Sequence, residues 1–368
     1  MKNPKWTKEK LDLVKKYLEM GTNVREISTS LKVSFDSVNH AIRRYNLRAG
    51  VKSSKQNPGK TFIRANKELI YELKSQLDTA TPLKRKITKE IIKKGDTLVI
   101  HFTDWHIGKV VKNEAGLELY NTTIFKERIQ KLNREMLRLL DDYIRKGTPI
   151  KDVIIISTGD ILDGMGIYAS QETQSELSPP FQVMLGVETI QSFILALLER
   201  KLNVSFYGCK GNHGEIRGER GKAKDPNANW DLQLYLILDF WAKQVLKNEN
   251  VKIFYSELNY LNFEVQGWKY HIRHIAPQQS ETSAGKAKFL GWAREHNCDV
   301  LVYGHYHHYG ITDRSGVTVI KGGSIVGADE FAEQLAEESE PIQLIWGVSS
   351  HRPTTFIYAI DLGKRKKI

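Results

Sequence analysis

The chain has 368 residues, 40% of them hydrophobic, and a formal charge of +12. That length makes two domains the expected number. No apolar run approaches the roughly 18 residues of a membrane helix, the polar start MKNPKWTKEK is unlike a signal peptide, and Cys209 and Cys298 form no CxxC spacing. These features exclude disulfide-rich secreted and membrane-embedded classes and predict a soluble, cytoplasmic protein.

The charge is unevenly placed. Residues 1–94 hold 23 Lys/Arg against 9 Asp/Glu, a balance of +14, whereas residues 95–368 hold 32 against 34, a balance of −2. A basic front on a near-neutral body points to a polyanion-binding module, with DNA as the partner and no membrane contact.

In chain order, WTKEKLDLVKKYLEMG predicts a helix capped by Thr7, with Leu11, Val14 and Leu18 at helical spacing and Gly21 as its end. Val24, Ile27 and Leu31 mark a second, short helix. After a tight turn at Val33, Ser34 caps a third, in which Phe35, Val38 and Ile42 recur at three- and four-residue spacing. Two short helices joined by such a turn fit a helix-turn-helix, and the pattern resembles those of bacterial and phage regulators. With Val38 and Ile42 inward, Asp36, Asn39, His40 and Arg43 point elsewhere. Asn39, His40, Arg43 and Arg44 are the expected DNA contacts, because Asn and Arg match adenine and guanine edges. The expected domains are a helix-turn-helix over 1–50, a basic linker and helix over 51–95, a catalytic body over 96–363 and a basic tail over 364–368.

The body repeats one arrangement. TLVIHF runs into TDWHIG, VIIIS into TGDILDG, NVSFYG into CKGNHGE, WKYHIRH into HIAP, and VLVYG into HYHH. Each apolar run reads as a buried strand, and each ends in Asp, Asn or His. Sites in α/β proteins form where the carboxyl ends of strands gather. On extended chain, residues i and i+2 share a side, which pairs Asp104 with His106 and His305 with His307 and turns His308 away. His271 competes with His274 for the fourth position; His274 is favoured because it stands at the strand end. His101 is expected in the core or facing outward, Asp163 in a structural role, Cys209 buried, and His296, His308 and His351 on the surface. A helix is expected over Val187–Leu202, with closing strands near Val317–Ile320 and Thr354–Ile360.

The ordered series Asp104-x-His106, Gly159-Asp160-x-x-Asp163, Gly211-Asn212-His213, His274 and Gly304-His305-x-His307 resembles the calcineurin-like metallophosphoesterase superfamily. The resemblance spans residues 103–307 and implies an α/β fold, a two-sheet β-sandwich flanked by helices, beside the small all-α N-terminal domain. It implies two divalent metal ions. Asp104, His106, Asp160 and His307 would hold one, and Asp160, Asn212, His274 and His305 the other, with Asp160 shared. His213 would face the substrate. Paired cations lower the pKa of a bound water and stabilise charge during in-line displacement. The mixed N/O donors suit manganese, with iron or zinc as the other candidates. One departure is that Gly214, then Glu215, follows Gly-Asn-His.

Within this superfamily the Mre11/SbcD-like nucleases fit a DNA-tethered phosphodiesterase best, and they imply a protein partner of ATPase type. Arg217, Arg220 and Lys222, in the loop after His213, are candidate contacts to a phosphate backbone. Those nucleases carry a capping region after the last histidine motif, where this chain has 61 residues. The alternatives are a small-molecule or phosphomonoester phosphatase recruited to DNA, and a DNA-binding regulator with an inert phosphoesterase body. A prokaryotic or phage-encoded protein is expected.

Overall fold

The structure, a computed structural model, describes residues 6–19, 22, 24–31, 33–47, 95–217, 227–276, 283–327 and 340–363. The chain divides into two compact units, Met1–Glu68 and Leu69–Ile368. Of the linker expected over 51–95 all but residue 95, together with the tail over 364–368 and Gly21, lies outside the described residues.

Among its described residues the first unit has helices α1 (Lys8–Glu19), α2 (Val24–Ser30) and α3 (Phe35–Arg44). Thr7 Oγ1 accepts the Lys10 amide at 3.4 Å, and Ser34 Oγ accepts the Ser37 amide at 3.2 Å, so both predicted caps satisfy a free helix-end donor. Val14, Ile27, Val38, Ile42 and Leu47 form the core. Each such buried side chain contributes about 1.5–3 kcal/mol. On α3, Asp36, His40, Arg43 and Arg44 are exposed. Asn39 is half-buried, because it lies beside Val38 at the edge of the packed stripe.

The second unit is built on two sheets. The first has the order β13-β12-β1-β4-β5-β6, from β1 (Asp96–Phe102), β4 (Ile150–Ser157), β5 (Asn203–Gly208), β6 (Val251–Tyr255), β12 (Ile342–Ser349) and β13 (Arg352–Asp361). Strands β1, β4, β5 and β6 run parallel, and β12 and β13 close the edge antiparallel. The second sheet has the order β10-β11-β9-β8-β7, from β7 (Tyr260–Val265), β8 (Trp268–Arg273), β9 (Val300–Tyr303), β10 (Gly310–Arg314) and β11 (Val317–Lys321). A short hairpin, β2 (Val111–Lys112) with β3 (Glu118–Tyr120), follows β1.

All five predicted strands are present, and the period of two explains how they are used. In β1, Leu98, Ile100 and Phe102 join one core while Val99 joins another; in β4, Val153 and Ile155 separate likewise from Ile154 and Ile156. The first core lies under the helices α4 (Thr122–Arg145), α6 (Pro179–Leu198) and α7 (Trp230–Phe240), reached after the short α5 (Ala169–Thr173). The second core includes residues of both sheets, among them Val99, Ile156, Ile272, Val300, Val302 and Trp346. A third, with Phe289, Ala293, Leu301 and Val319, packs α8 (Ser283–Glu295) on the second sheet.

Two expectations need correction. The helix expected over Val187–Leu202 begins at Pro179, since paired prolines start helices readily and Ser178 stands at its cap position. That helix also has the length and hydropathy of a membrane span. Its apolar residues are committed to the core, where Val183, Val187, Ile190, Phe193, Ile194 and Leu197 are buried.

Candidate metal centre

Every motif residue lies just past the carboxyl end of a strand. Asp104 and His106 follow β1, Asp160 follows β4, Asn212 and His213 follow β5, His274 follows β8, and His305 and His307 follow β9. Strands β1, β4 and β5 belong to one sheet and β8 and β9 to the other, so the donors gather where the two sheets meet at one end.

The extended-chain explanation for the Asp-x-His and His-x-His pairs is incorrect. Asp104, His106, Asp160, His305 and His307 all have left-handed backbone, with φ of 52°, 45°, 51°, 75° and 60°. Side chains are aimed inward by these turns, not by strand pleating. The conformation costs an L-residue roughly 1–2 kcal/mol, and Asp and His tolerate it better than branched residues. Such strain persists only where the surroundings over-determine it. The glycines of the motifs provide some of that constraint. A Cβ on Gly159 would stand 2.2 Å from the Gly211 amide nitrogen, and one on Gly211 would stand 2.0 Å from Asp160 Oδ1. Two ligand loops therefore touch backbone to backbone.

Three clusters of donor side chains result among the described residues, one of them joining His106 to Asp163 and His213. In one of the other two, His106 Nε2 and His307 Nε2 lie 3.1 Å apart, with Asp104 Oδ1 at 3.9 and 3.6 Å from them. In the other, Asp160 Oδ2 lies 2.9 Å from His274 Nε2, and His305 offers a third donor, all three within 4.8 Å of one another. Thus His305 and His307 serve adjacent groups. His308 turns away, its Nδ1 on the Tyr306 carbonyl and its Nε2 on Lys321. His274, not His271, joins the centre; His271 Nδ1 bonds Asn262 Oδ1 at 2.7 Å, and its ring packs with Tyr260, Trp292 and His296. His296 and His308 are both half-buried, unlike the surface positions expected for them, whereas His351 is exposed as expected.

The donors fit divalent cations. Asn212 Oδ1 is buried with no hydrogen-bond partner, while its Nδ2 donates to Tyr168 Oη at 2.8 Å. A buried carbonyl left unpaired costs about 1–3 kcal/mol, and coordination removes that cost. The imidazoles are oriented from behind: His274 Nδ1 bonds the Thr158 carbonyl at 2.8 Å, and His106 Nδ1 faces Asp163 Oδ1 at 3.4 Å. Such partners fix tautomer and ring direction in metal-binding histidines.

The electrostatics differ among the donors. Burial, reinforced by His213, lowers the His106 pKa to about 4, and burial with His274 lowers that of His305 to about 4. Both rings are therefore neutral lone-pair donors at pH 7. Burial opposes charge on His274, but the Asp160 carboxylate outweighs it and raises the pKa to about 9. Burial would also raise Asp163, but its hydrogen bonds with His106 and His213 hold it at about 2. His213 Nδ1 lies 3.3 Å from Asp163 Oδ1, and the Asp160 and Asp163 charges overcome burial to raise the His213 pKa.

Several supporting residues carried no motif. Asp231, buried in the first turn of α7, accepts the amides of Asp160, Ile161 and Gly211 at 2.9, 3.2 and 2.9 Å, binding two ligand loops together. Burial and the nearby Asp160 raise its pKa to about 6. Gln343 accepts from the Thr103 amide and the Trp105 indole, and donates to the Thr103 and Gly323 carbonyls. Thr158 donates to Thr103, which donates to Asp104, and His101 completes this buried chain. Arg217 pairs with Glu215 at 3.1 Å, whereas Arg220 and Lys222 lie outside the described residues.

A buried set of carboxylate, amide and imidazole donors thus gathers at the meeting of two sheets, with the chemistry of a metal-binding site. The model of the calcineurin-like phosphoesterase family matches residues 97–309, and the chain belongs to that family. No curated protein matches the chain. Similar solved structures include a novel archaeal phosphodiesterase, 14% identical over 72% of this chain and 99% of that one, with a TM-score of 0.34. A hypothetical protein from Pyrococcus horikoshii is 13% identical over 74% of this chain and 90% of its own, with a TM-score of 0.35. Vacuolar protein sorting 29 from Cryptosporidium parvum is 13% identical over 73% and 100%, with a TM-score of 0.31.

Proposed function

We propose that the protein is a metal-dependent DNA phosphodiesterase whose first unit holds DNA while its body hydrolyses the backbone. The observation that carries this reading is the separation of charge from chemistry. Residues 1–94 carry a balance of +14, while the near-neutral remainder holds the buried donor set. A helix pair presenting Arg43 and Arg44 to solvent supplies the phosphate attraction that raises DNA concentration near a site otherwise indifferent to sequence.

In this reading Asp104, His106, Asp160 and His307 hold one cation, and Asp160, Asn212, His274 and His305 the other. Manganese is the proposed ion, in keeping with mixed nitrogen and oxygen donors. When bound, the cations supply Lewis acidity toward phosphoryl oxygens and lower the pKa of a bound water. The chain's own residues do the rest. Asp163 engages His213 Nδ1, leaving Nε2 to give a proton to the leaving oxygen. The His213 amide donates to Asp160 Oδ1 at 2.8 Å, which ties the proton donor to the shared carboxylate.

The test is a Mn2+ assay of the purified chain on single-stranded, double-stranded and nicked DNA, beside a phosphomonoester. Cleavage of DNA with little monoester turnover supports the reading; the reverse preference refutes it.

A further inference from the structure

Tyr168 stands against the third ligand loop. Its hydroxyl accepts the Asn212 Nδ2 hydrogen bond at 2.8 Å, and its ring centre lies 4.6 Å from that of His213 at a tilt of 36°. The backbone beneath it is pinned. Gln171 Oε1 accepts the amides of Ile167 and Tyr168 at 2.8 and 3.1 Å, and Gln171 Nε2 donates to the Asp163 carbonyl. A side chain held at its tip and its base has already lost the rotational freedom that stacking would otherwise remove. Yet Tyr168 remains 40% exposed. Other large apolar side chains are exposed close by in sequence: Met165 on the same segment, Ile275 beside His274, and Tyr309 two residues past His307.

We infer that Tyr168 is the platform on which a nucleobase beside the scissile phosphate stacks, a specificity-determining residue that favours base-bearing phosphodiesters over bare ones. The inference rests on the phosphodiesterase reading above. Phosphate contacts carry no information about the attached base, whereas an aromatic ring accepts the π-face of any base without choosing a sequence. The ring abuts His213, the residue assigned to the leaving oxygen, so the stacked base belongs to the leaving side. The hydroxyl's bond to Asn212 fixes the ring plane relative to the donor set.

Three diesters test this on the full metal-loaded chain: thymidylyl-thymidine and its two analogues lacking the base on one side. The wild type is expected to show a KM roughly 10-fold lower for the full dinucleotide than for one of the analogues. Tyr168→Ala erases that ratio, and Tyr168→Phe, which keeps the ring and loses the hydroxyl, retains it. 2-Aminopurine placed on the same side gives a readout independent of turnover: its fluorescence is quenched on binding to the wild type and the Phe variant, not the Ala variant. Equal KM for all three diesters in the wild type overturns the inference. So does a Tyr168→Ala change that slows all three by one factor and keeps the ratio. Hydrolysis of bis-p-nitrophenyl phosphate with no cleavage of any dinucleotide instead overturns the nuclease reading, and this inference with it.

Discussion

The three-helix unit and the two-sheet body organise their polar residues in opposite ways. In the body, Asp104, His106, Asp160 and His274 are almost wholly buried, and three of these four sit in left-handed backbone. In the three-helix unit, Asp36, His40, Arg43 and Arg44 face solvent, and Asn46 alone among its described non-glycine residues has a positive φ. Recognition of a polyanion needs charges that water can reach, and it tolerates imprecise placement. Holding cations needs donors withdrawn from water and fixed in direction, which demands strain, glycines and a supporting layer. Burial and backbone conformation together therefore set the donor loops of the body apart from the exposed charges of α3.

The sharpest attempt to break this division is Asp160→Asn. Metal-dependent hydrolysis is expected to fall roughly 10³-fold or more, with DNA affinity, measured by fluorescence anisotropy, unchanged. A parallel loss of DNA binding would refute the separation. Next is Asp231→Ala, which leaves three buried amides without their acceptor. A loss of about 3 kcal/mol or more in unfolding free energy is expected from urea titration, confined to the body. Unchanged stability would show that Asp231 does not tie the loops. The smallest effect belongs to the pair Arg43→Ala and Arg44→Ala. DNA affinity should weaken across all sequences, and the log–log salt slope should fall by about 0.9 for each phosphate contact removed. Hydrolysis of bis-p-nitrophenyl phosphate should stay at the wild-type rate; a slower rate would mean that these arginines serve the body.

Much of the body was legible because its signals are local. Five apolar runs with Asp, Asn or His at their ends mark five of the strands, and the family resemblance singled out residues that the structure brings close together at those ends. The choice of His274 over His271 followed from its place at a strand end, and the structure puts the two on different sides of β8's role: one at the centre, one in an aromatic cluster. The geometry was misread where backbone conformation departs from the element beside it. Asp104 and His106 resemble continued strand in sequence, yet each requires a positive φ. Asp231 and Gln343 stayed unnoticed because their partners are distant in sequence. Gln343 did leave a trace, as the lone polar residue in the apolar run IQLIWG, where a buried side chain must find partners. Asp231 looked like an ordinary acidic residue at a helix start. On α3, periodicity placed Val38 and Ile42 inward, but it counted Phe35 with them, which is exposed, and could not tell that Asn39 lies at the margin.

The donors that meet at one end come from both sheets, and between those sheets lies a seam of aliphatic and aromatic side chains. His274 Nε2 reaches Asp160 across this join, and the His305 amide reaches the Asp104 carboxylate at 3.0 Å. The sandwich is thus clasped at its rim by the donor groups themselves. Prising the layers apart must dismantle the reactive end at once, leaving no half-opened form still able to turn over. Thermal inactivation and melting of the body should then trace a single curve.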